Sequence, residues 1–199
     1  MAIIQSVLDT DLYKFTTSYA YSKLYPRAYG QFRFIDRGKT TYPQGFAEEL
    51  KKEIQEMSKL ALTKDEASFL SRELPYLPPT YIDFVRGFRF DPEEVKVEQD
   101  AEGHLSIIAE GLLYRVTLWE TPILALVSEL YYKMLGAQPD MEYTERTIIS
   151  KARKLAEHGI TFSMFGMRRR FSAAIEDRVT ELLKEHAAEL ELSKRVVPI

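Results

Sequence analysis

Phe165-Gly166-Met167-Arg168-Arg169-Arg170-Phe171-Ser172 sets an aromatic ring, a glycine and three guanidinium groups side by side. Such a set can stack on a planar ligand and neutralise an anion. Ile160 to Phe165 alternates apolar and small polar residues, the period of a strand with two different faces. Ser172 is a good helix N-cap, followed by an apolar stripe at Ile175, Val179, Leu182 and Leu183. The arginines are therefore expected at a strand's carboxyl end beside a helix amino terminus, where α/β folds place their sites and anions are favoured. The same triplet can also be a solvated helix start paired with Glu176, Asp177 and Glu181. Consecutive residues do not share a face, so one or two of the three are expected at a ligand and the rest in structural ion pairs.

Asp9-Thr10-Asp11-Leu12-Tyr13-Lys14 is the second candidate. Read functionally, Asp11 and Tyr13 stand exposed at a helix mouth, where a phenol stacks on a planar ligand and a carboxylate accepts hydrogen bonds. Read structurally, Asp9 and Thr10 are a capped helix start. Trp119 is expected in the core at a strand end, and Thr121 as a cap. His104 belongs to a hairpin turn, and His186 lies on the apolar side of a helix; with His158 they are too widely spaced for a local metal motif. No Gly-rich phosphate loop and no Ser/His/Asp order is present.

The elements that position these residues follow from composition and period. Of 199 residues, 45% are hydrophobic and 29% charged, ordinary for a globular protein. With 27 Lys and Arg against 30 Asp and Glu, the net charge of −3 gives no global attraction to nucleic acid or anionic lipid, so anion binding must be local. Cysteine is absent, which removes disulfides, thiolate catalysis and Cys metal sites. The amino terminus lacks signal-peptide features and the longest apolar run, Pro122 to Val127, is far short of a membrane span, so a cytoplasmic location is expected.

A helix from Leu12 to Leu24 ends before Pro26, and a strand follows at Tyr29 to Asp36. Phe46, Leu50, Ile54 and Met57 recur at helical spacing; Thr63 with Glu66 forms a capping box ahead of Ala67, Leu70 and Leu74. A short helix around Tyr81 to Arg86 follows the Pro75, Pro78, Pro79 cluster. Val95 to Gln99 and Leu105 to Glu110 flank a hairpin loop, and Leu112 to Leu118 reads as a third strand. Thr121 as N-cap and Pro122 as first helical residue open a helix closed by Gly136. Gln138-Pro139-Asp140 reads as a connection between domains, 1–138 and 139–199, the second opening with a helix that buries Ile148, Ile149, Ala152, Leu155 and Ala156 and ends at Gly159. The second unit is unfinished as a sheet or barrel, since one strand and two helices cannot close either.

Leu8 to Lys14, Tyr25-Pro26, Phe32 to Arg37, Glu110-Gly111, Trp119 to Leu124 and Phe165 to Ser172, in this order and spacing, resemble the nicotinate phosphoribosyltransferase family. The resemblance runs through most of the chain up to Ser172. It implies an α/β fold: an α+β amino-terminal domain followed by the first part of an irregular TIM-like barrel of the type II phosphoribosyltransferases. It also implies joining of nicotinate to phosphoribosyl pyrophosphate, giving nicotinate mononucleotide and pyrophosphate for NAD synthesis, with Mg²⁺ and ATP hydrolysis. By the resemblance, Phe165 and Tyr13 sandwich the pyridine ring across a homodimer interface, with Asp11 beside it. Arg168 and Arg169 would contact the ligand carboxylate or ribose phosphate, with Arg170 a weaker candidate.

The family's phosphorylated histidine and most of its phosphate-binding loops have no counterpart up to Ile199, so this chain alone is expected to be inactive. Two alternatives stand beside this reading: a truncated, non-catalytic dimerisation or pyridine-binding module, and a nicotinamide phosphoribosyltransferase.

Overall fold

Antiparallel pairing around one central strand organises the amino-terminal part of the chain. The structure, a computed structural model, describes residues 2–160, 162, 164 and 166–186. Strand β3 (Leu105–Leu112) pairs on one edge with β1 (Tyr29–Arg33), Tyr29 opposite Leu112 and Arg33 opposite Ile108. On its other edge lies β2 (Val95–Gln99), with Val95 opposite Ala109 and Gln99 opposite Leu105. Alternation selects the faces: Val97, Ile107 and Ala109 are buried, whereas Lys96 reaches across to Glu110 on the other face. The expected hairpin joins β2 to β3, with the Asp100 N–H donating to the His104 carbonyl at 3.0 Å. Asp36 ends the first strand region by accepting the N–H groups of Gly38 and Thr40, both at 2.8 Å, so β1 stops at Arg33 rather than running to Asp36.

Helices cover this sheet in the expected places. α1 (Tyr13–Leu24) buries Phe15 and, unexpectedly, Lys14, which pairs with Glu120. α2 (Phe46–Met57) buries Phe46, Leu50, Ile54 and Met57, the stripe read from the sequence. α3 (Lys64–Glu73) starts with the Thr63/Glu66 capping box, both bonds of which are present, and α4 (Pro79–Gly87) follows the prolines. After β3 the chain turns helical at once, through α5 (Leu113–Val116) and a 3-10 turn over Thr117–Trp119 into α6 (Glu120–Met134). The expected strand at Leu112 to Leu118 is thus corrected. The partner strand β1 begins opposite Leu112, and a short apolar run serves a buried helix as well as a strand. Trp119 is fully buried, on that 3-10 turn rather than at a strand end, and its indole N–H donates to Glu94 at 2.9 Å.

α7 (Met141–Glu157) and α8 (Ala173–Glu185) follow, and Gly136 and Gly159 stand at positive φ behind α6 and α7 respectively. The apolar interior forms two clusters. The larger draws on residues 3 to 130; the smaller joins Ala152 of α7 to Val179 and Leu183 of α8. Of the strand expected over Ile160 to Phe165, residues Thr161, Ser163 and Phe165 lie outside the described residues. Among the described residues the three-stranded sheet is the only one, and no helix is long and apolar enough to cross a membrane.

Gly103 in the hairpin has φ of +86°, and a Cβ there would lie 2.9 Å from Thr41 Cγ2 and 3.0 Å from the Tyr42 carbonyl oxygen. Gly103→Ala should therefore cost about 1–3 kcal/mol, read as a lower urea midpoint at constant slope. An unchanged midpoint would show that the hairpin does not depend on this left-handed turn.

Candidate functional site

Two arginines, two positions apart, are gripped by two aspartates, two positions apart, from the other end of the chain. Asp9 and Asp11 lie in the segment ahead of α1, and Arg168 and Arg170 flank the end of a 3-10 turn, Met167–Arg169, ahead of α8. Neither aspartate caps α1. Leu12 occupies the cap position with no side-chain bond, because both carboxylates are spent on the arginines.

Arg170 is the structural partner. Its Nη1 and Nη2 donate to the two carboxylate oxygens of Asp9 at 2.6 and 3.0 Å, and its Nε donates to Glu129 at 3.1 Å. Glu129, on α6, also accepts the Ala173 N–H at 3.2 Å, and Ser128 donates to the Arg170 carbonyl at 2.9 Å. The side chain is buried. Burial alone would lower the guanidinium's affinity for its proton, but the bonds to Asp9 and the charge of Glu129 more than reverse this. The partners of the triplet are therefore Asp9 and Glu129, with Asp11 and Glu120, rather than the expected Asp177 and Glu181; Glu176 acts on Arg170 by charge.

Arg168 is the one that faces outward space while remaining fixed. Its Nε donates to Asp11 Oδ2 at 2.9 Å, its Nη2 lies at the same distance from that oxygen, and Nη1 is 3.4 Å from Glu120. Its Nη2 also donates to the Tyr13 hydroxyl, and the guanidinium sits 6.0 Å from the Tyr13 ring centre. Asp11, expected to be exposed, is only 1% exposed. The correction has a clear cause: Thr121, expected to be the cap of α6, is inside the helix and donates its hydroxyl to Asp11 at 2.8 Å. A carboxylate so supplied with donors can be buried without penalty dominating. Tyr13, by contrast, is 40% exposed beside Arg168.

Arg168 and Arg169 also close one end of a cleft of about 580 Å³. One wall is the loop from Phe34 to Tyr42; the other is α6, through Leu124, Val127, Ser128 and Tyr131. Tyr42 stands in the first wall with its hydroxyl toward Asp36, and burial together with that carboxylate pushes its phenol up to about 12. It is a neutral hydrogen-bonding wall at neutral pH. The cleft has the size of small-molecule sites, with one mixed wall that includes Asp36, Arg37 and Thr40, one largely apolar wall on α6, and Arg168 and Arg169 in its lining. Arg169 is exposed there. Of the predicted site residues, then, Asp11, Tyr13 and Arg168 meet directly and Arg169 stands at the cleft mouth, all in one chain; Phe165 lies outside the described residues. Sequence reasoning did not find Glu120, Thr121 and Glu129 as partners of this site. Their only local signal was the Trp-Glu-Thr-Pro segment, whose chemistry is also that of an ordinary helix start. His104 bonds to Asp100, His158 to the Lys154 carbonyl and His186 to the Leu182 carbonyl, each within its own turn or helix.

Removing the Arg170 guanidinium leaves Asp9 and Glu129 facing each other under cover. Arg170→Gln should cost about 3–5 kcal/mol in urea unfolding, well beyond Arg168→Gln, whose carboxylate keeps Thr121. Equal losses would refute the division of labour. Burial also pushes the Glu129 and Glu176 carboxyls above their ordinary value of 4.5, against the pull of Arg170. Folding therefore favours their protonated forms. That contribution is full below the unfolded value of 4.5 and is lost as pH rises through the raised folded values. Glu129→Gln should flatten the fall of melting temperature with pH just above that value; an unaltered slope would sink the assignment.

Residues 8–128 match the family profile described as the nicotinate phosphoribosyltransferase amino-terminal domain. The nicotinate phosphoribosyltransferase of Chromohalobacter salexigens is 40% identical over 191 residues, covering 94% of this chain and 48% of that protein. That of Desulforapulum autotrophicum is 42% identical over 173 residues, covering 86% and 44%. Among solved structures, the nicotinate phosphoribosyltransferase of Porphyromonas gingivalis superposes with a TM-score of 0.88 at 64% identity, covering 94% of this chain and 48% of that one. The chain thus spans about half the length of the relatives it matches. Its α/β architecture, the profile match and these identities lead to one conclusion: the chain belongs to the nicotinate phosphoribosyltransferase family and corresponds to its amino-terminal portion.

Proposed function

We propose that this chain carries the pyridine-binding part of a nicotinate phosphoribosyltransferase, the enzyme that joins nicotinate to phosphoribosyl pyrophosphate in NAD synthesis. The observation that carries the reading is Arg168, locked on the buried Asp11 beside the exposed ring of Tyr13 at the end of a cleft. In that reaction the bond at ribose C1 breaks as positive charge develops on the sugar, and the ring nitrogen arrives as nucleophile. The protein needs no nucleophile of its own; it must hold a flat anion in one orientation. Arg168 receives the ligand carboxylate, with Arg169 as a second cation, while Tyr13 and Phe165 supply the two faces that stack on the ring. A fixed guanidinium is better suited to this than a lysine, because its fork matches a carboxylate without reorganising.

The cation also argues for the acid over the amide. Nicotinamide offers Arg168 only one neutral carbonyl oxygen, so the nicotinamide-using alternative loses the attraction between opposite charges and the bidentate fork. A homodimer belongs to the same reading: the exposed face of Tyr13 is available to a ligand held against Phe165 of a second copy. Mg²⁺ and ATP enter as requirements of the whole family. Among the described residues, the group Asp100, Glu102 and His104 brings three donors together on the exposed hairpin. It does not fit Mg²⁺, which takes oxygen ligands, because one donor is an imidazole and both Asp100 oxygens already bond to His104.

Calorimetry of the purified chain with nicotinate and with nicotinamide tests the reading. Nicotinate should bind more tightly than the amide, and Arg168→Gln and Phe165→Ala should each weaken it by about tenfold or more. Equal affinity for acid and amide, or indifference to Arg168→Gln, would remove the basis of the proposal. Mixing Tyr13→Ala with Phe165→Ala chains should restore a fraction of full-affinity sites if the two rings come from different copies, and none if they come from one.

A further inference from the structure

Gly166 and Glu176 meet at the base of the turn that presents Arg168. The turn closes through the Arg169 N–H, which donates to the Gly166 carbonyl at 3.0 Å. On its other side, the carboxylate of Glu176 reaches back from the first turn of α8 and packs against the Gly166 backbone, whose N–H is among the groups that pull that carboxyl down against the larger effect of burial. A Cβ built on Gly166 would lie 2.8 Å from both oxygens of that carboxylate and 3.1 Å from its Cδ. Yet Gly166 has φ of −94° and ψ of −22°, a conformation open to any residue. The backbone therefore gives no reason for glycine here, and the carboxylate does: it occupies the space a side chain would start from.

We propose that Glu176 is the positioning residue for Arg168: by seating the Gly166 backbone it sets the turn that delivers the guanidinium to Asp11, Tyr13 and the cleft. The carboxylate is half-buried, attracted by Arg170 and repelled by Asp177 of its own helix and by Asp9 of the segment ahead of α1. Two arginines of the triplet are thus served by two different mechanisms. Arg170 is held through its side chain by Asp9 and Glu129; Arg168 is aimed through its backbone by Glu176, and its side chain then reaches Asp11. The consequence for nicotinate affinity rests on the function proposed above. The consequence for the geometry of Arg168 does not.

Exchange of the Arg168 Nε–H with water, measured by NMR on the full ¹⁵N-labelled chain and assigned by its loss in Arg168→Lys, reports the bond to Asp11 without any ligand. Glu176→Ala and Gly166→Ala should each speed this exchange by about tenfold, and the double variant should be no faster than either, because both remove one contact. Glu176→Gln keeps an acceptor and should stay within about twofold of the parent, and the Arg170 Nε–H should remain slow in all of them. Nicotinate affinity, measured by calorimetry, should fall in the same order. If Glu176→Ala does not fold, the contrast between Gly166→Ala and Glu176→Gln decides. An unchanged Arg168 Nε–H, strictly additive effects, or equal loosening of Arg170 would overturn the proposal. Fast exchange at Arg168 with unchanged nicotinate affinity would uphold the positioning role and sink the nicotinate reading instead.

Discussion

The structure depends on a two-rung clamp. Asp9 holds Arg170 and Asp11 holds Arg168, so two short segments some 160 residues apart lie against each other in a defined register. Each rung uses alternate residues. The residues between point opposite ways: Arg169 lies exposed at the cleft, and Thr10 points inward, its hydroxyl buried. A slip by one residue would bring Arg169 against an aspartate and leave a guanidinium without its carboxylate in a covered place, so the mispaired registers are penalised far more than the correct one is rewarded.

That asymmetry explains why ion pairs rather than apolar contacts join the two ends. Apolar packing of similar volume could stabilise the joint as well or better, since desolvating charges offsets most of what their attraction contributes. It would not aim anything. The clamp fixes Arg168 on Asp11, beside Tyr13 and at the cleft, which is the preset orientation that the proposed binding role requires. Arg170 is covered and Arg168 only partly so: the first sets the register of the two segments, and the second is the group to which the proposed recognition is assigned.

Legibility in the sequence followed the range of each interaction. The stripe of α2, most of that of α8, the capping box at Thr63 and Glu66, the Ser172 cap and the glycines behind α6 and α7 are local patterns that the residues alone specify, whereas of the stripe expected on α7 Ile149 and Ala152 are buried and Ile148, Leu155 and Ala156 only partly so. A third strand at Leu112 to Leu118 does not form, because this short apolar run takes the helical state decided by what covers it. The same holds for the acids. Asp9, Asp11 and Thr121 look like caps because caps and long-range partners use the same side chains, and only the fold shows that Asp9 is held for Arg170 and Asp11 for Arg168. Family resemblance supplied Asp11, Tyr13 and Arg168 as a set. It could not say that Asp11 would be buried, nor that Glu120, Thr121 and Glu129 complete the arrangement.

α6 is the element that makes both rungs compatible. Glu120 and Thr121 at its start meet Arg168 and Asp11, whereas Ser128 and Glu129 meet Arg170. Eight residues of helix separate the two sets by about 12 Å. Two side chains only two positions apart can span that interval only by diverging, one toward each end of the helix. The helix thus acts as a ruler that forbids Arg168 and Arg170 from collapsing onto the same carboxylate. Its middle, between the two sets, presents Leu124 and Val127 to the cleft. The apolar wall of the proposed site and the spacing of its cations are consequently set by one rigid body, so a change in the rotation of α6 would disturb both at once.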